Sequence, residues 1–130
     1  MREAILENSV ELALPAQQNM MLVLRLTTAG VVARAGLTVD RMDDVKLAVE
    51  EACNCLIGDA NGPERLRLRF IKEDGALRIA ICGEGGNRVS VGEDEREIVR
   101  CILQAMVDGV EIHAEGSAIT GVELRVALGA

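Results

Sequence analysis

A chain of 130 residues with 49% hydrophobic content is the size of one ordinary domain, and that content excludes a disordered polymer. The formal net charge of −7, with Lys46 and Lys72 as the sole lysines, excludes a nucleic-acid binder that works by clustering cations on phosphates. Phe70 is the single aromatic residue, so the core has to be built from Leu, Val, Ile, Ala and Met.

The N-terminal stretch MREAILENSVELALP lacks the continuous apolar core and cleavage site of a signal peptide, and no apolar run approaches a membrane span. The expectation is a cytoplasmic protein, a single domain over residues 1–130, whose Cys53, Cys55, Cys82 and Cys101 stay reduced. Cys53 and Cys55 are two apart, so on a helix they point in different directions and do not share a metal. All four read as small apolar residues. His113 is the sole histidine; it falls in an expected strand without a partner motif and receives no role.

Taken in order, Ser9–Leu14 alternates, with Val10, Leu12 and Leu14 on one face, and Pro15 ends this strand. Ala16–Ala35 has a helical period through Met20, Met21, Leu24, Val31, Val32 and Ala35, with Gly36 as its stop. Gly30 lies inside it at a cost of about 1 kcal/mol relative to Ala. Thr38 or Asp40 then caps a helix over Asp43–Ile57, with Asp43 and Asp44 in its first turn. Its stripe is Val45, Ala48, Ala52 and Leu56, widened by Leu47, Val49 and Cys53, which predicts burial between a sheet and a neighbouring helix. Gly58–Pro63 is a loop.

Glu64–Lys72 alternates cleanly, with Leu66, Leu68 and Phe70 inward and Arg65, Arg67 and Arg69 outward. Asp74-Gly75 turns the chain, and Leu77, Ile79 and Ile81 repeat the pattern in Ala76–Cys82. The outward arginines, with Arg78, mark either a partner face or a wet sheet face whose stems cover apolar surface. Gly83–Asn87 is a loop. Glu93–Val107 returns to helical period through Ile98, Cys101, Ile102, Ala105 and Met106, and Gly109 ends it. Val110, Ile112 and Ala114, then Val122, Leu124, Val126 and Leu128, form two last strands about the turn Glu115-Gly116-Ser117. Strand, two helices, hairpin, helix, hairpin is an α+β order: a two-layer sandwich with helices on one face of a mostly antiparallel sheet.

Several of these stretches carry a resemblance that covers nearly the whole chain. Leu14-Pro15-Ala16, Arg25-Leu26, Ala33–Gly36, Asp43–Cys53 and Met106–Ile112 resemble the anti-sigma-factor serine kinases, members of the GHKL class of ATP-binding domains that also holds histidine kinases. The best match is K-x-A-V-x-E-A-C at Lys46–Cys53. The resemblance implies the histidine-kinase-like ATPase (Bergerat) sandwich, a site for ATP and Mg between sheet and helices, a homodimer, and a sigma factor or anti-anti-sigma antagonist as partner. In that family a helix glutamate orients the attacking group, an asparagine four residues later holds magnesium, an aspartate after the hairpin reads the adenine amino group, and later glycines approach the phosphates.

Carried over without gaps, Glu51 takes the place of the catalytic glutamate. The magnesium asparagine falls on Cys55, a thiol poorly matched to a hard cation. Asn54 lies one residue early, about 100° around the helix, and is the remaining candidate metal and cofactor ligand; pairing it with Glu50 restores the spacing but slides the register. The adenine-reading position falls on Gly83, which has no side chain, and Gly85 matches a glycine of the same loop. The phosphate glycines fall on Glu97 and Val99. The expectation is therefore a retained framework around a degenerate ATP site. Two functions stay open: a module that binds its partner protein with weak or lost ATP binding, and an active serine/threonine kinase using Glu51 as base and Asn54 for the metal. The plain alternatives are a solvated helix edge for Glu50 and Glu51, an ordinary loop for Gly83–Gly86, and a cleft that takes some other small molecule.

Overall fold

The structure, a computed structural model, describes residues 9–58 and 62–128. Five strands, β1 (Ser9–Pro15), β2 (Arg65–Glu73), β3 (Ala76–Glu84), β4 (Gly109–Glu115) and β5 (Ala118–Ala127), form one sheet in the order β1-β2-β3-β5-β4. Every neighbouring pair is antiparallel. Three helices, α1 (Met21–Arg34), α2 (Val39–Ile57) and α3 (Glu93–Gln104), complete the α+β sandwich. The α2 helix packs on β2, β3 and β5 and against α1, while α3 packs on β4 and α2.

The alternating pattern sets the sheet register, because a slip of one residue would turn each apolar set to solvent. Leu12, Leu68, Ile81, Val122 and Ile112 align as one row across all five strands. Val10, Phe70, Ile79, Leu124 and Val110 form the next. The central members of both rows are buried beneath the helices. Each contributes roughly 1.5–3 kcal/mol by leaving water.

The expected helix Ala16–Ala35 begins later than its pattern suggested. Ala16 is drawn to the sheet by a bond from its N–H to the Glu64 carbonyl (3.0 Å), and a 3-10 turn at Gln18–Met20 precedes α1. At the other end, Gly36 at φ 85° carries bonds from Gly36 N to Ala33 O and from Leu37 N to Val32 O. These two bonds are the glycine stop that the sequence indicates.

For α2 the correction runs the other way. The helix starts at Val39, not Asp43, and Thr38 Oγ1 accepts from Arg41 N at 3.3 Å as its cap. Asp40 is the acidic residue of the first turn; Asp43 and Asp44 lie beyond it. The buried face holds Val45, Ala48, Val49, Ala52, Cys53, Leu56 and Ile57, but Leu47 is 56% exposed.

The third helix corrects the sequence reading most. It ends at Gln104, and Gly109 starts β4 instead of closing the helix. Its anchors are Leu103, fully buried, and the partly buried Val99, continued by Val107 after the helix. Most of the expected stripe is turned outward: Ile98 is 61% and Ile102 42% exposed, and Cys101 is exposed, while Met106 packs against the core. Two adjoining rows on this helix are apolar, and periodicity alone does not choose between them.

Candidate functional site

A cleft of about 270 Å³ opens beside the C-terminal half of α2, and Glu51, Asn54 and Cys55 line it. Glu51 and Cys55 lie one turn apart, four residues on the same face. Glu50 is directed elsewhere: Arg25 of α1 forks onto both its carboxylate oxygens, with Nε to Oε2 at 3.1 Å. That hydrogen bond holds the Glu50 carboxyl below its ordinary range. The geometry thus gives Glu51, not Glu50, to the cleft.

Asn54 is engaged there already. Its Oδ1, the atom a magnesium ion would need, accepts a hydrogen bond from Gln18 Nε2 at 3.0 Å. Cys55 is half-buried, and burial, then Glu51 and Glu95, push its thiol upward, so it stays protonated and offers no thiolate.

The far wall comes from the segment after β3 and from α3. Val91 N donates to Ser117 O (2.8 Å) and Ile119 N to Val89 O (2.9 Å), which straps this segment to the β4–β5 turn. The strap sets Val89 and Val91 into the cleft. Val89 packs so closely on the end of α2 that a Cβ on Gly58, already at φ 59°, would meet its methyl at 2.3 Å. Glu95 and Val99 of α3 complete the wall. Arg96, beside Glu95, reaches away to the Gly116 carbonyl at 3.0 Å. Among the described residues that line the cleft, two are carboxylates and none is Lys or Arg.

Gly83 and Gly85 are not among those lining residues. Gly83 is buried within β3, opposite Leu66, one strand position before the loop in which it was expected. The ring of Pro63 covers it: a Cβ there would stand 2.9 Å from both Pro63 Cβ and Cγ. An aspartate at this position would have to displace that ring to reach a base. Gly85, at φ 68°, lies against the Glu64 carboxylate instead. Position 97 is within α3 and exposed, its Glu97 paired with Arg100.

Sequence reasoning missed Pro63, Val89 and Glu95. Pro63 is separated from Gly83 by a whole hairpin, and no local signal joins them. Glu95 belongs to an acidic run that reads as a favourable first helical turn. A second groove of about 410 Å³, between α1 and the sheet near Val10 and Phe70, is larger and mainly apolar, with Arg34 and Lys72 as the charged residues of its lining.

This sheet order, with helices on one face and a cleft beside the central helix, defines an ATPase-type sandwich. The histidine kinase-like ATPase domain matches residues 14–126, and the chain belongs to that family. Among its relatives is the serine-protein kinase RsbW of Bacillus subtilis, 33% identical over 79 residues, which are 58% of this chain and 49% of the relative. The RsbW of Bacillus pumilus is 30% identical over 83 residues, 60% of this chain and 51% of that one. The chain spans about half the length of these relatives. A solved structure of the RsbU and RsbW domains of a Mycobacterium tuberculosis protein superposes with a TM-score of 0.68. It covers 92% of this chain and 32% of that one at 16% identity, a likeness of fold.

The oxygen donors that the cleft offers a metal ion are the Glu51 and Glu95 carboxylates and the Asn54 amide. Magnesium requires several hard oxygen donors in a tight octahedron. Of the cleft's donors, the amide oxygen already accepts from Gln18, and the position one turn from Glu51 is the protonated thiol of Cys55.

Proposed function

We propose that this domain is an anti-sigma-factor-like regulator of the serine kinase family that acts mainly by binding a partner protein in transcription regulation, with weak or lost ATP binding. The observation that carries the reading is the cleft, lined by two carboxylates, no Lys or Arg, and valines from the strap; Pro63 over Gly83, outside that lining, adds to it. A triphosphate brought there would meet the Glu51 and Glu95 carboxylates, while the nearby cation Arg96 is held to the Gly116 carbonyl. The partner class, a sigma factor or an anti-anti-sigma antagonist, rests on the likeness to RsbW kinases. A homodimer and a cytoplasmic setting are part of the proposal as what the family resemblance implies. Separately, no described helix is long and apolar enough to cross a membrane.

Calorimetric titration with Mg·ATP, run beside a Bacillus RsbW as positive control, tests the loss of nucleotide. No heat at millimolar nucleotide is expected here, and saturable binding would overturn that half of the proposal. Affinity capture from the source cells tests the other half. Recovery of a sigma-type or antagonist-type protein is expected, and recovery of neither would refute it.

One observation favours a second reading, an active serine/threonine kinase with Glu51 as base and Asn54 as metal ligand: both side chains line the same cleft. That reading requires Gln18 to release Asn54. Transfer of labelled phosphate from ATP to an antagonist, abolished by Glu51→Gln, would establish it.

A further inference from the structure

The outer face of the sheet carries a group of side chains that the cleft does not use. Glu111 on β4 stands directly opposite Glu123 on β5. Two residues along β4, on the same face, is His113, opposite Gly121 and diagonal to Glu123. One ligand atom from each of the three lies within 4.8 Å of the others. We propose that Glu111, His113 and Glu123 form a binding site for a borderline divalent metal ion, Zn²⁺ foremost.

Three features support it. The first is spacing. His113 Nε2 and Glu123 Oε2 are 3.5 Å apart. That is longer than a charge-assisted hydrogen bond of about 2.7–2.9 Å. It matches two donors on one tetrahedral zinc: bonds of about 2.1 Å put ligand atoms about 3.4 Å apart. The second is orientation. Glu123 uses its other oxygen, Oε1, to accept from Arg78 Nη1 at 2.8 Å, so Arg78 fixes the carboxylate and leaves Oε2 turned to the imidazole. The third is charge. Like charges facing each other across a ladder destabilise the pair. Arg78 pairs with Glu123, but among the described residues no ion pair relieves Glu111. A bound dication would neutralise both carboxylates.

One imidazole nitrogen and two carboxylate oxygens suit zinc or cobalt better than magnesium or calcium. Three protein donors leave at least one position for water. Glycine at 121, opposite His113, keeps a shallow groove open beside the imidazole.

The test uses the full chain in reduced form, titrated with Zn²⁺ alone. His113 is the sole histidine, so one set of imidazole ¹⁵N signals reports the site. The expected result is a saturable one-to-one shift of the Nε2 signal with half-saturation below about 100 μM. His113→Asn and Glu111→Gln should each weaken binding by at least about tenfold, with the far-ultraviolet circular dichroism unchanged. Cys101→Ser should leave binding intact, and Co²⁺ in place of zinc should show no thiolate charge-transfer band. Zinc binding that leaves the imidazole unshifted, equal affinity in His113→Asn, a thiolate band, or no binding below 100 μM would each overturn the proposal.

Discussion

The two faces of α2 differ in kind although they share one helix. The face toward the sheet is apolar without interruption from Val45 to Leu56, and every member is buried. The face toward the cleft carries Glu51, Asn54 and Cys55, which serve no packing role in common and form no polar network with one another. Burial constrains the first face to apolar residues of the right size. The second answers only to whatever the cleft has to do. A thiol at one position, an engaged amide at another and a carboxylate across the gap are what support the proposal of weak or lost nucleotide binding.

The contrast is most sharply broken or kept by truncating one residue on each face. Leu56→Ala should cost about 2–5 kcal/mol, the range for a buried leucine whose site does not collapse. Glu51→Ala should stay within about 0.5 kcal/mol of the parent. Urea unfolding of both variants reads the difference directly. A Glu51 variant as unstable as the Leu56 variant would mean that the cleft is part of the core after all.

A smaller effect tests the cover over Gly83. Gly83→Ala inserts a methyl 2.9 Å from the Pro63 ring, and overpacking of this kind costs about 1–3 kcal/mol. Pro63→Ala removes the obstructing ring atom Cγ, so the double variant should recover part of the loss. The two changes should show a coupling of about 0.5–3 kcal/mol. Strict additivity would mean that Pro63 does not close this position. Restoring a single ligand should do less still: Cys55→Asn alone should give no Mg·ATP heat at millimolar nucleotide, because Glu95, Val89 and the Pro63 ring remain. Binding by that variant would show one substitution, not a rebuilt cleft, to be the difference.

The same contrast explains what was legible in the sequence. The alternation of Leu66, Leu68 and Phe70 against Leu77, Ile79 and Ile81 fixes both strands and their facing sides, since only one register buries both sets. Lys46–Cys53 carried the resemblance because helix and motif coincide there, and the family match over residues 14–126 includes it. On α3 two apolar rows competed, and the row containing Leu103 won by contact with other elements, which periodicity does not encode. The cleft was half legible. Glu51, Asn54 and Cys55 are neighbours on one helix and were found together. Pro63 over Gly83, Gln18 on Asn54 and Val89 on Gly58 join residues from separate elements, so nothing local announces them.

The finest separation between the adjacent glutamates is by pH. Glu50, tied to Arg25 between α1 and α2, has its carboxyl lowered from 4.5, first by the Arg25 hydrogen bond, against a burial cost that pushes the other way. A carboxyl lower in the folded state than in the unfolded chain stabilises the fold above its unfolded value, and that contribution is lost as pH falls through the folded value. Between pH 5.5 and 8, Glu50→Gln should therefore unfold at slightly lower urea than the parent, by a constant margin. Below about pH 4.5 the margin should shrink and then vanish, because protonation removes from the parent what the substitution removes from the variant. About 0.5 M salt should narrow the neutral-pH margin, since Arg25 is largely exposed. A margin that persists at pH 3 would mean that Glu50 acts through packing, not through its charge on Arg25.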